Sequence, residues 1–213
     1  MKLKEILKCL SRWEQLIHNS KDNYKKLALL IAEANYFKFK IQYTEKSKYI
    51  RAYPGIHKGQ LHLFILAEEY DTKAHKDHIE DHIQIAEVVR EQASAQLSDS
   101  IPQDEALRRI HNWSKDCKAW IPKQAQGESG FLKCYLIPVE DLATENNCAS
   151  IAYFALKEES NALGFSADLI LKDDDGKSLE AASSYYDTVY LVPPFNPKKE
   201  MYLLAAAESH VLD

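Results

Sequence analysis

The 213-residue chain lacks most of the patterns that announce a chemistry. It has only six glycines, and none falls into a P-loop or a G-x-G-x-x-G run, so there is little backbone material to cradle a phosphate. No G-x-S-x-G elbow occurs, which removes the usual hydrolase nucleophile. The four cysteines, Cys9, Cys117, Cys134 and Cys148, form no C-x-x-C pair and have no histidine at a structural zinc spacing. They read as free thiols in a reducing, cytoplasmic compartment, with Cys9, Cys117 and Cys134 on apolar faces. No apolar run reaches the ~18 residues that span a bilayer, and the N-terminus lacks the continuous apolar core of a signal peptide. Positive charge is also scarce. With 27 Lys and Arg against 32 Asp and Glu, the net charge of -5 argues against nucleic acid and anionic membrane as partners. No cofactor is expected.

What is present is ordinary for a soluble globular protein: 46% hydrophobic and 28% charged residues. The chain is long enough for one sizeable domain or two small ones. Leu3, Ile6, Leu7, Leu10, Trp13 and Ile17 share one stripe of a helix. A second helix is expected from about Asp22 to Ala34. At Asn35 the period switches to two, with Phe37, Phe39, Ile41 and Tyr43 alternating with polar residues, which reads as a half-buried strand. Lys48 to Tyr53, ended by Pro54-Gly55, and Gly59 to Leu66 complete an expected three-strand antiparallel meander. A strand is expected again near Ile83 to Val89.

A third helix is expected from about Pro102, with Ser100 as its N-cap and Leu107, Ile110, Trp113, Cys117 and Trp120 on one face, stopping before Pro122. Strands follow at Phe131 to Ile137, Ile151 to Leu156, Phe165 to Leu171, Tyr185 to Val192 and Met201 to Ala206, with a hairpin turn at Asp173 to Gly176. The class is therefore α+β: amphipathic helices packed on a predominantly antiparallel sheet. The boundary between halves falls near residue 92, giving 1–92 and 93–213, which are open to packing as one domain. Gly59 to Asp71 and Gly130 to Leu142 resemble each other, each a glycine, an apolar run and an acidic end. That echo is compatible with two pseudo-repeated halves sharing a cleft, and equally with two strands buried alike.

Three places invite a functional reading. His75, His78 and His82 lie among Asp71, Asp77, Glu80 and Asp81, and could hold a metal if His78 and His82 are one helical turn apart; the plain alternative is a solvated polar loop. Cys148 is the least apolar-flanked cysteine but has no local base. Tyr185, Tyr186, Tyr190 and Phe195, around the stiff Pro193-Pro194 pair, are the material of a recognition edge, or else caps on the core. Tyr49, Tyr53 and Tyr70 offer a second aromatic patch. The leading expectation is a non-catalytic module that binds a protein partner or a second copy of itself. The alternatives are a metal-dependent enzyme using the histidines, or a small-ligand binder with its pocket between the halves.

Overall fold

The computed structural model describes residues 1–18, 21–90, 101–127, 130–142, 149–174, 185–196 and 199–210. Among these residues are four α-helices, α1 (Leu3–Ile17), α2 (Lys21–Ile31), α3 (Gln103–Ala125) and α4 (Tyr202–Ser209). Eight strands complete the fold: β1 (Tyr36–Phe39), β2 (Tyr49–His57), β3 (Gln60–Ala67), β4 (Gln84–Val89), β5 (Cys134–Pro138), β6 (Ala149–Glu158), β7 (Phe165–Asp174) and β8 (Tyr190–Val192). All pairings are antiparallel, in the order β7-β6-β1-β4-β3-β2-β5-β8. The two ends of that series meet at one bridge, where Leu171 and Tyr186 exchange backbone hydrogen bonds of 2.9 and 3.1 Å. The sheet is thus a nearly closed barrel.

Alternation along each strand sends one set of side chains inward and the other outward. Phe37, Phe39, Ile50, Leu63, Ile65, Tyr135, Ile137, Phe154, Leu169 and Leu171 meet in the interior. Trp13, Ile31, Trp113 and Trp120 from the helices join this cluster. On the outside, α1 and α4 cover Tyr53, Phe64, Leu66, Cys134 and Leu136. The first turns of α3 cover Ile151, Tyr153, Ala155, Ile170 and Tyr185.

The pairings show a repeat. Within the first half the order is β1-β4-β3-β2; within the second it is β5-β8-β7-β6, counting the Leu171–Tyr186 bridge. Each half's second strand pairs with the other half's first: β2 with β5, and β6 with β1. The register carries through, so that Ala52-Tyr53 of β2 occupies the place of Ala152-Tyr153 in β6, and Leu63 of β3 that of Leu169 in β7. The helices obey it too. A buried indole N–H needs an acceptor. Trp13 in α1 donates to the Leu132 carbonyl at 2.8 Å, two residues before β5. Trp113 in α3 donates to the Ala34 carbonyl at 2.7 Å, two residues before β1. The repeat is therefore real in topology, but the Gly59/Gly130 echo matches the wrong strands. Gly59 directly precedes β3 with φ +78°, and the glycine in the same place of the other half, one residue off in register because that hairpin is one pair longer, is Gly164, which directly precedes β7 with φ +73°. Apolar burial alone made β3 and β5 look alike.

Several expected elements differ. β1 pairs β4 and β6, so only β2 and β3 form the hairpin of the expected meander. β2 runs through Pro54-Gly55 to His57. Its pairing with β5 covers only Tyr49 to Ala52, so Pro54 sits where β2 has an open side and no donor is missed. Gly55 is needed there because a Cβ would stand 2.6 Å from the Phe64 ring. α3 continues past Pro122 to Ala125, since burying Trp120, Ile121 and Ala125 outweighs one lost backbone bond, and its N-cap is Pro102. Residues 202–209 are helical, not a strand. Leu203-Leu204-Ala205-Ala206-Ala207 are the strongest helix formers, and the Asp71 carboxylate accepts the Leu203 N–H at 2.9 Å, capping the first turn from a distant loop. Asp173 and Asp174 of the expected Asp173 to Gly176 turn are instead the end of β7, paired with Ser150 and Ala149, while Asp175, Gly176, Ser100 and Cys148 lie outside the described residues.

Candidate functional site

Of the four aromatic residues singled out near the C-terminus, two reach the surface. Tyr190 is 43% and Phe195 36% exposed, and among the described residues they are two of the four large apolar side chains that are exposed. Their rings pack on each other with centroids 4.9 Å apart. Tyr49, from β2, stands edge-on to Tyr190 at 5.9 Å. The pairing explains the meeting: β5 lies between β2 and β8, and brings Tyr49 and Tyr190 to one outer face. A backbone bond from Phe195 N–H to the Leu191 carbonyl, 2.9 Å, folds the Pro193-Pro194 loop back so that Phe195 covers Tyr190. Burial and the neighbouring Tyr190, Glu68 and Glu140 raise the Tyr49 hydroxyl above its ordinary value.

The other two are elsewhere. Tyr185 is fully buried against α3, and burial pushes its hydroxyl up to about 12. Tyr186 is half-buried against the barrel interior. Tyr186 and Tyr190 do not share a face, as a regular strand would require. The stretch from Tyr186 to Val192 has one residue more than its counterpart Gln84 to Val89, and the extra residue reverses the alternation.

The histidines do not converge. Tyr70 stacks on His82 with centroids 3.7 Å apart, and His75 stands edge-on to Tyr70 at 5.6 Å. His75 also shares a 2.9 Å hydrogen bond with the Thr72 hydroxyl. The two imidazoles are 6.4 Å apart, and His78 is exposed outside this group. The segment is a pair of short 3-10 turns, Lys73–His75 and Ile79–His82, so no single helix face gathers the rings. Among the described residues, no group of three or more His, Cys, Asp or Glu side chains is placed to hold a metal ion.

Sequence reading missed two buried polar centres. In the first, Arg51 of β2 is fully buried. Its Nη1 donates to Asp71 Oδ2 at 2.7 Å and to the Glu200 carbonyl at 2.5 Å, while Nη2 stands 3.8 Å from Glu68 Oε2. The Tyr53 hydroxyl also donates to Asp71, and burial together with that carboxylate raises it well above its ordinary value. Lys199 reaches Glu68 at 2.8 Å. The centre fastens α4 to the barrel. In the second, Arg109 of α3 bridges Glu105 at 2.6 Å, Asp168 of β7 at 2.9 Å and Asp187 at 2.7 Å. This centre joins β7 to the segment entering β8, where the barrel closes. One guanidinium serves three carboxylates, and the most buried of them yields: desolvation pushes Asp168 up to about 6 although Arg109 pulls the other way. The signal for both was in the sequence as a charged residue inside an apolar strand pattern, Arg51 and Asp168.

Between the halves, Trp13, Leu63, Trp113, Phe131, Tyr135 and Phe154 line a space of about 10 Å³, room for one water. A 3.7 Å contact links the Cys9 sulfur to His57 Nδ1, and burial raises the Cys9 thiol, so it is held as a thiol and not activated. Cys117 and Cys134 are also buried free thiols, both raised by burial. Among the described residues no helix is long and apolar enough to cross a membrane. Compared with protein-family models, curated proteins and solved structures, the chain matches none.

Proposed function

We propose that this protein is a non-catalytic protein-binding module and that its docking surface is the ring cluster Tyr49, Tyr190 and Phe195. One observation carries the reading. The barrel repeats itself, and the places equivalent to Tyr190 and Tyr49 are taken by Glu87 and Ala149. Glu87 is exposed. The scaffold therefore closes without aromatic rings at this position, and folding alone does not call for them here. Adjacent exposed aromatics on a rigid edge supply large contact area at low entropic cost, which is what interface anchors are made of.

The test is affinity capture from lysate on immobilised protein, with Tyr190→Glu and Phe195→Ala beside wild type. Leu29→Ala, at an exposed apolar site away from the patch (65% exposed), is the control. The expected result is a set of captured proteins that Leu29→Ala retains and both patch variants lose, with melting temperature unchanged. Equal capture by all four proteins would end the proposal.

A further inference from the structure

We infer that the surface joining the two halves is interchangeable between copies, so that two chains can exchange halves and form a dimer of complete barrels. The halves meet through the same pairing used twice, β2 with β5 and β6 with β1. They also meet through the same tryptophan clamp used twice, Trp13 to Leu132 and Trp113 to Ala34. α2 packs on α3 across the same boundary. A half without its mate would expose Phe37, Phe39, Ile50 and Ala52, or Tyr135, Ile137, Ala152 and Phe154, all buried in the whole barrel. It would also leave two unpaired strand edges. The covalent connection is the stretch from Arg90 to Ile101. A mate from another chain makes every contact that the tethered mate makes, so the choice between them is set by concentration. The partner that fits this surface is a second copy of this chain.

The experiment uses the full chain. A specific protease site replaces residues within 91–95 in one variant and within 96–100 in another, so that one poor placement does not decide the outcome. Two results are expected. First, the cleaved monomer keeps its mass of 24.4 kDa by light scattering, because the halves hold each other without the link. Second, unfolded protein refolded at roughly millimolar concentration, where another chain competes with a tethered mate, gives a native dimer. Refolding at micromolar concentration gives monomer. Cleavage of that dimer releases 24.4 kDa barrels. Separation of the halves on cleavage of the monomer, monomer alone after refolding at both concentrations, or a dimer that survives cleavage would each overturn the inference.

Discussion

The two halves of the barrel agree inside and disagree outside. Many inward positions match in kind across the repeat: Phe37 with Tyr135, Ala52 with Ala152, Leu63 with Leu169, Trp13 with Trp113. Outward positions match less often, Tyr53 with Tyr153 being one that does. Arg51, at the centre of the polar cluster under α4, stands where the second half has Ile151, and His62 stands where it has Asp168. Close packing punishes change in an interior that both halves share. The outer layers lie under different helices, α1 and α4 on one side and the first turns of α3 on the other, and each carries its own polar fastening. What the barrel needs is what repeats; what does not repeat is either a local fastening or a working surface.

The largest effects should come from what repeats. Trp13→Ala and Trp113→Ala each remove a buried indole and leave a carbonyl unpaired, and each should cost about 3–5 kcal/mol in urea denaturation. The two losses should agree to within about 1 kcal/mol. A loss below about 1 kcal/mol at one site and above 3 at the other would show that the symmetry is one of backbone path and not of energetics.

The polar centres should separate next. Asp71→Ala leaves Arg51 fully buried with Glu68 3.8 Å away as its nearest carboxylate, and takes the cap from α4. We expect about 3–5 kcal/mol, with loss of α4 protection in hydrogen exchange. Asp168→Ala leaves Arg109 with Glu105 and Asp187, and should cost only about 1–2 kcal/mol. Equal losses would mean that the three carboxylates around Arg109 act as one unit.

The pH dependence sharpens the same contrast. Asp168 is pushed up to about 6 by desolvation. Between the ordinary carboxylate value and 6 the folded chain holds a proton that the unfolded chain has released. This group's contribution is therefore fully present near pH 4 and is lost as pH rises through 6. The span is of order 2–3 kcal/mol. Other carboxylates run the opposite way, Glu105 among them, lowered by its bonds to Arg108 and Arg109. The readout is the stability of wild type minus that of Asp168→Asn, measured from pH 4 to pH 7. It should fall with rising pH, and a flat difference would mean that Asp168 is ionised throughout.

Much of this was legible in the chain itself. The α+β class, the stripe from Ile6 to Ile17 and the burial of Phe64 and Tyr135 follow from apolar spacing, which is local. Strand order does not, because β1 finds β4 and β6 rather than its neighbour β2, and nothing in residues 36–57 records that choice. The repeat was hidden for the same reason: its sequence trace is a few residues such as Ala52-Tyr53 and Ala152-Tyr153, while the stronger likeness, β3 with β5, came from burial. Tyr190 and Phe195 stood out by composition. Tyr49 joins them only through the non-local path β2-β5-β8, and Tyr186 left the face of Tyr190 because one extra residue reversed the alternation.

The smallest effect is the one that bears most on function. Phe195 rests on Tyr190 and is more than a third exposed, so truncating it removes one ring contact and opens no interior cavity. Phe195→Ala should cost no more than about 1 kcal/mol. The converse substitution, Glu87→Tyr, places a ring at the repeated position and should also be tolerated within about 0.5 kcal/mol, since Glu87 is exposed on a β4 already held between β1 and β3. Together the pair asks whether the scaffold is indifferent to aromatics at both places. If Phe195→Ala instead lowers stability by more than about 2 kcal/mol, the rings are part of how β8 closes the barrel. The difference between Tyr190 and Glu87 would then be one of folding rather than of binding.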